Sequence, residues 1–147
     1  MHAILLRLPQ KVGKIRFDMR SGVLFITLPS GRRLAYISPR IEENQFGGES
    51  VTYMGLDAQK HWTRVESYGP KFVENITQAI CRDLLADVMM RLDWRYRIVA
   101  HVHDEVILEV PKETDLQEAC EIMSQTPQWL PGIELRSDGF QAEFYQK

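Results

Sequence analysis

The hydrophobic period of this chain changes once, near Pro70, and that change limits the folds open to it. Before Pro70 the apolar residues come in short runs. Residues 23–28 and 33–37 flank a turn of Pro29, Ser30, Gly31 and Arg32, and residues 51–54 and 62–66 form a second pair joined by polar residues. Strand formers on both sides of a Pro/Gly turn predict β-hairpins, because successive side chains of a strand point to opposite faces. Residues 18–22 read as an earlier turn. Residues 39–49, which include Glu42, Glu43, Asn44, Gln45, Gly47 and Gly48, show no periodicity and read as a loop. From Pro70 onward Val73, Ile76, Ile80, Leu84, Val88 and Leu92 follow at steps of three or four, the stripe of an amphipathic helix over 70–93. Pro70 suits the first turn of that helix, where its missing N–H costs nothing.

Beyond the helix, residues 97–110 read as two extended segments separated by His103, Asp104 and Glu105. Residues 112–124 form a second helical stretch, and residues 133–145 look like a last strand bent at 137–139. Strands joined by short connections and interrupted by two helices argue for an α+β fold: a mainly antiparallel sheet with one long and one shorter helix packed on one face. The length of 147 residues and a hydrophobic content of 44% suit one globular domain over 1–147. Within it, 1–69 form β-rich hairpins, 70–93 the long helix, and 96–147 a hairpin, a helix and a final strand.

No run approaches the ~20 apolar residues of a membrane span, and the first residues lack a signal-peptide cleavage site. Cys81 and Cys120 both lie in helical segments, which suits reduced, buried thiols in a cytoplasmic protein. The net charge of −2 hides an asymmetry. Residues 1–40 carry eight basic side chains and one acidic, net +7, and the remainder is net −9. A basic front beside an acidic back suggests a polyanion held on one side and cations gathered on the other. The alternative is solvated charge without a partner.

Three groups of residues bear on chemistry. Asp104 and Glu105 fall in a tight turn between apolar β-runs, where both carboxylates can serve one solvent-facing spot. Carboxylates, waters and phosphate oxygens are the ligands Mg²⁺ prefers; the alternative is a polar hairpin turn. His101 and His103 alternate as transition-metal ligands would, but no third ligand has suitable spacing. Gln78, with Asn75 one turn before it, lies on the long helix in a row with Glu74 and Arg82. An exposed amide there can bond base edges in the minor groove, where all base pairs offer similar acceptors; the alternative is a solvated helix face.

The string from Ala100 to Val110, with His103, Asp104 and Glu105 at its centre, resembles the third signature segment of family A DNA polymerases, the group typified by bacterial DNA polymerase I. Residues 78–85 resemble the same family's helix with a DNA-contacting Gln. Residues 28–32, 39–44, 52–56 and 66–69 are similar to segments of its phage-encoded branch. The resemblance runs from about residue 20 to the end and corresponds to the last fifth or so of a usual member. It implies the C-terminal portion of a polymerase palm. Asp104 would be the carboxylate on the catalytic metals, Glu105 the accessory acid, and His103, Gln78 and Asn75 contacts to the primer end and minor groove. Mg²⁺, a DNA primer-template and deoxynucleotides would be the cofactor and partners of the intact enzyme.

Nucleotidyl transfer in this family uses two metals clamped between aspartates on two segments. The first, an Asp-x-Ser-x-x-Glu strand, is absent: Asp18 has Ser21 three residues on rather than two. The second, an Arg-x3-Lys-x7-Tyr-Gly helix, is matched only in its latter half by Lys60, Tyr68 and Gly69, with Leu56 in place of the Arg. The pair Arg7 and Lys11 brackets Pro9 and has no Tyr-Gly partner. The chain alone is therefore expected to lack polymerase activity. A second reading is a prophage-derived remnant acting as a DNA-binding or oligomerising module. In that reading an exposed sheet edge meets a second copy or an N-terminal polymerase half. A third, a small metal-dependent phosphohydrolase using Asp104 and Glu105, needs ligands the sequence does not supply.

Overall fold

A computed structural model describes residues 1–44 and 46–145. Gln45, part of the expected loop, and residues 146–147, at the end of the expected last segment, lie outside the described residues. The chain divides into two compact units, Met1–Ile80 and Cys81–Lys147. The fold is α+β with a mainly antiparallel sheet, one long helix and a shorter one, as the change of period predicts.

The first unit is a six-stranded antiparallel meander. After a short helix α1 (His2–Leu6) come β1 (Gln10–Val12), β2 (Ile15–Arg20), β3 (Val23–Thr27), β4 (Arg33–Glu43), β5 (Glu49–Leu56) and β6 (Trp62–Ser67). They are hydrogen-bonded in that order. One face of the sheet is closed. Leu24, Ile26 and Tyr36 are buried with Ala3 of α1, and Phe17, Met19, Leu34 and Tyr53 pack around them. Phe72 and Ile76, from the start of α2 (Gly69–Asp93), complete this core. Arg32 ties the same helix to the β3–β4 turn by donating from Nη2 to the Ala79 carbonyl at 2.7 Å.

Two stretches of this unit are more regular than their composition suggests. The turn expected over 18–22 is only Ser21 and Gly22, because Arg20 already pairs with Val23. Both turn residues have positive φ, 49° and 78°, the requirement of a two-residue hairpin whose twist matches its strands. The loop expected over 39–49 also shrinks. β4 runs on to Glu43 through a register shift between Ile37 and Arg40. Ser38 with φ 46° and the buried Pro39 sit at that irregularity, where a residue without an N–H breaks no ladder. Asn44 then closes the reversal, its Oδ1 accepting from the amides of Phe46 and Gly48 at 2.9 and 3.0 Å.

In the second unit the latter part of α2 is followed by β7 (Arg97–Val102), β8 (Glu105–Glu109) and α3 (Leu116–Ser124). Val88, Leu92 and Ala119 are its buried centre, with Ile98, Val106, Leu108, Ile122 and Met123 packed against them. α3 starts four residues later than 112 because Asp115 caps it, Oδ1 accepting from the Gln117 amide at 2.9 Å. Across this unit, the Tyr96 hydroxyl donates to Glu118 Oε2 at 2.8 Å, and Arg95 pairs with the same carboxylate at 3.1 Å.

Three expectations are corrected. No strand forms over 133–145 among the described residues. Ile133, Leu135 and Ser137 are half-buried while Glu134, Arg136 and Asp138 are exposed, so the alternation is real. The segment finds α3 and its flanks instead of a sheet edge. Ser137 Oγ donates to the Cys120 carbonyl at 2.7 Å, and Gln141 Nε2 to the Thr114 carbonyl at 2.8 Å. The single stripe expected on α2 fails at Val73, which is 63% exposed. Phe72 is covered in its place, and from Ile76 the stripe holds at steps of four through Ile80, Leu84, Val88 and Leu92, all half-buried or buried. The expected buried thiols are also corrected: Cys81 is exposed and Cys120 half-buried. No helix among the described residues is long and apolar enough to cross a membrane.

Ile26 and Leu92 are both 0% exposed, so Ile26→Ala and Leu92→Ala should each cost about 2–5 kcal/mol in urea unfolding. The Tyr96 and Arg95 hydrogen bonds hold the Glu118 carboxyl below its ordinary value of 4.5. A depressed carboxylate stabilises the fold above its unfolded value and loses that effect as pH falls through its folded value. The urea midpoint of Glu118→Gln should therefore lie below that of the natural chain at pH 7, and the gap should narrow as pH falls below 4.5.

Candidate functional site

The acidic pair sits where the sequence predicts, at the end of a two-stranded hairpin. Val102 pairs with Glu105 and His101 with Val106, leaving His103 and Asp104 as the two turn residues. Glu105 is thus the first residue of β8 rather than part of the turn. The apolar residues Ile98, Val106 and Leu108 hold the hairpin on the α2–α3 core, and the polar tip is left in solvent: His103, Asp104 and Glu105 are all exposed. Neither carboxylate has a cationic partner or a hydrogen bond among the described residues.

His103 takes φ 53°. A β-carbon in this left-handed region meets the backbone, at a cost of roughly 1–2 kcal/mol. The reversal imposes it: two residues must turn the chain between strands already paired at Val102 and Glu105. One strained residue therefore sets the direction in which Asp104 leaves the sheet.

Asp104 and Glu105 supply the hard oxygen donors that suit Mg²⁺, an ion that keeps several waters and takes one or two carboxylates together with phosphate oxygens. No group of three His, Cys, Asp or Glu side chains gathers to hold an ion among the described residues. The two carboxylates match that ion's choice of donors but do not by themselves make a site. His101, the other member of the His pair, meets Arg82 of α2, whose guanidinium nitrogens lie 3.5 Å from both ring nitrogens. Sequence spacing placed Arg82 only in a row with Gln78 and Glu74; a contact to β7 leaves no trace in helical periodicity.

The two amides on α2 belong to the first unit and differ from one another. Gln78 is exposed, and its Nε2 donates to Glu74 Oε1 at 3.4 Å. Glu74 is also held by Lys71, at 2.9 Å. Asn75 is half-buried, and its Nδ2 donates to the Tyr36 hydroxyl at 3.2 Å. His103, Asp104 and Glu105 follow one another at the exposed hairpin end; Asn75 and Gln78 share one helix in the other unit, one amide directed inward and one in solvent.

Replacing His103 by glycine removes the β-carbon strain but adds unfolded-state freedom worth roughly 0.5–1 kcal/mol. His103→Gly should accordingly stabilise the chain by about 0.5–1 kcal/mol in urea unfolding, whereas His103→Val should destabilise it.

No protein-family profile matches this chain, and no solved structure matches it. It is 46% identical over 136 residues to a DNA polymerase of Bacillus phage SP02. The match covers 90% of this chain and 21% of that protein, so the chain spans about a fifth of the length of the curated relative it matches.

Proposed function

We propose that this chain works as a segment of a phage DNA-directed DNA polymerase, the C-terminal part of the palm of the family A enzymes. The observation that carries the reading is the exposed His103–Asp104–Glu105 tip on an apolar hairpin, in a chain similar to part of a phage DNA polymerase. Asp104 and Glu105 hold Mg²⁺ on one side of a cleft whose other walls lie outside these 147 residues. The bound ion supplies positive charge to phosphate oxygens. Both carboxylates are free of competing cations, which suits that task. His103 touches the primer end, Gln78 offers its amide to the minor groove, and Asn75 fixes the helix that carries Gln78. DNA primer-template and deoxynucleotides are the partners of the intact enzyme.

The 147 residues by themselves do not polymerise, because nothing in them supplies the second aspartate or clamps a triphosphate. One further observation favours an accessory reading. β7 and β8 form a two-stranded sheet, each with one edge outside the ladder, and open edges accept further strands. A second copy of the chain, or an N-terminal polymerase half, would pair there.

Replacing the matching fifth of the phage SP02 polymerase with this chain should leave an enzyme that extends a primer with Mg²⁺. Asp104→Ala in that chimera should lower kcat by roughly 10²–10³, the loss typical of removing one charge-stabilising group at a reacting centre. Equal extension by the chimera and its Asp104→Ala variant would overturn the reading, and so would extension by the 147-residue chain alone.

A further inference from the structure

The first unit carries net charge +4 and the second −6, and the strand register of the first unit concentrates its positive charge on one face. Lys11 pairs with Arg16, Arg16 with Thr27, and Thr27 with Arg33. Directly opposed residues share a face, so these four form one row across β1–β4. A parallel row runs from Arg20 through Val23, Ile37 and Met54 to Arg64. This face is the one turned away from the Leu24, Ile26 and Tyr36 core, and Lys11, Arg16, Arg20 and Arg33 are all exposed on it. At about 4.8 Å per strand, Lys11 and Arg33 stand about 14 Å apart along their row.

We propose that this open face of the meander, over β1–β4, binds a single-stranded nucleic acid through Lys11, Arg20 and Arg33. Three properties separate it from a merely solvated surface. Lys11 faces a cation, Arg16, across the ladder, so no acid opposes it there and a polyanion is the partner its charge lacks. The one acid between the rows, Asp18, is 6% exposed and already held by Arg16 at 2.8 Å, so the remaining three cations are uncompensated. Finally, apolar groups lie between the cations. The Arg33 guanidinium sits 5.1 Å over the Phe25 ring, and Ile37 is 41% exposed. Cations for phosphates, with the exposed Arg33 guanidinium plane and Ile37 as surface for bases, is the chemistry of a single strand, whose bases are unstacked and reachable; a duplex would use the charges alone. None of the proposed catalytic-tip residues lies on this face, so the inference stands or falls independently of the polymerase reading.

The test is fluorescence anisotropy of the full chain with fluorescein-labelled 20-nucleotide oligothymidylate, oligouridylate and a 20-base-pair duplex. With three phosphates neutralised, each contributing a slope of about −0.7, affinity for the single strands should fall roughly 20-fold between 50 and 200 mM salt. Comparison of the two oligonucleotides identifies DNA or RNA as the source of the strand. The triple variant Lys11→Gln, Arg20→Gln, Arg33→Gln keeps Arg16 on Asp18; it should bind at least tenfold more weakly at 50 mM salt and lose most of the salt dependence. The triple Arg7→Asn, Lys60→Asn, Arg136→Gln removes equal charge from residues outside β1–β4 and should change affinity less than threefold. Should the face triple fail to fold, Ala35→Glu, which puts one carboxylate between the rows, should weaken binding by itself. Equal losses in both triples, tighter binding of the duplex, or no binding by the natural chain at 50 mM salt would each overturn the proposal.

Discussion

A knot of three aromatic rings and one amide fixes the long helix to the sheet, and the arrangement of the first unit follows from it. Tyr36 of β4 meets Tyr53 of β5 edge-on at 4.8 Å between ring centroids and Phe72 of α2 at 4.9 Å. Edge-to-face pairs of this kind contribute beyond the area they bury. The Tyr36 hydroxyl, drawn into the knot, would be costly without a partner. Asn75 supplies one. Burial pushes the Tyr36 phenol above its ordinary value, and the Asn75 amide only partly offsets the shift. α2 continues its covered face through Ile76 and Ala79, and Gln78, beside that face, stands in solvent.

That geometry divides labour between two amides that sequence spacing treats alike. A side chain that donates to a buried hydroxyl is engaged in holding the helix, and one that reaches only another surface side chain at 3.4 Å can exchange that bond for another at little cost. The hairpin shows the same separation. Its apolar residues secure it to Val88, Leu92 and Ala119, while the exposed polar residues occupy the two turn positions and the start of β8.

Much of the fold was legible because period reports backbone type directly. The helix over 69–93 and the hairpin of 97–109 stand within a residue of the expected limits, since the long stripe and the paired β-runs are each bounded by turn residues. What periodicity does not report is partnership. Residues 133–145 alternate as a strand should, yet lie along a helix, because an extended segment and a paired strand share one side-chain pattern. β1 and β2 were not anticipated: Lys11, Lys14, Arg16 and Arg20 interrupt the apolar signal, and only the register of the meander accounts for them. The carboxylates of Asp104 and Glu105 were legible as a pair at a tip, but the division of that tip into a strained histidine, a turn aspartate and a strand glutamate belongs to the ladder, not to composition.

A hairpin of two strands has only one ladder to resist bending, and isolated pairs are marginal in water. Asp104 rides at the free end of such a lever. Local opening at a tip of this kind requires little free energy compared with global unfolding, so the carboxylate's stiffness depends on whatever borders the outer edges of β7 and β8. Slow amide exchange along those edges would mark the moment at which the lever becomes a fixed arm.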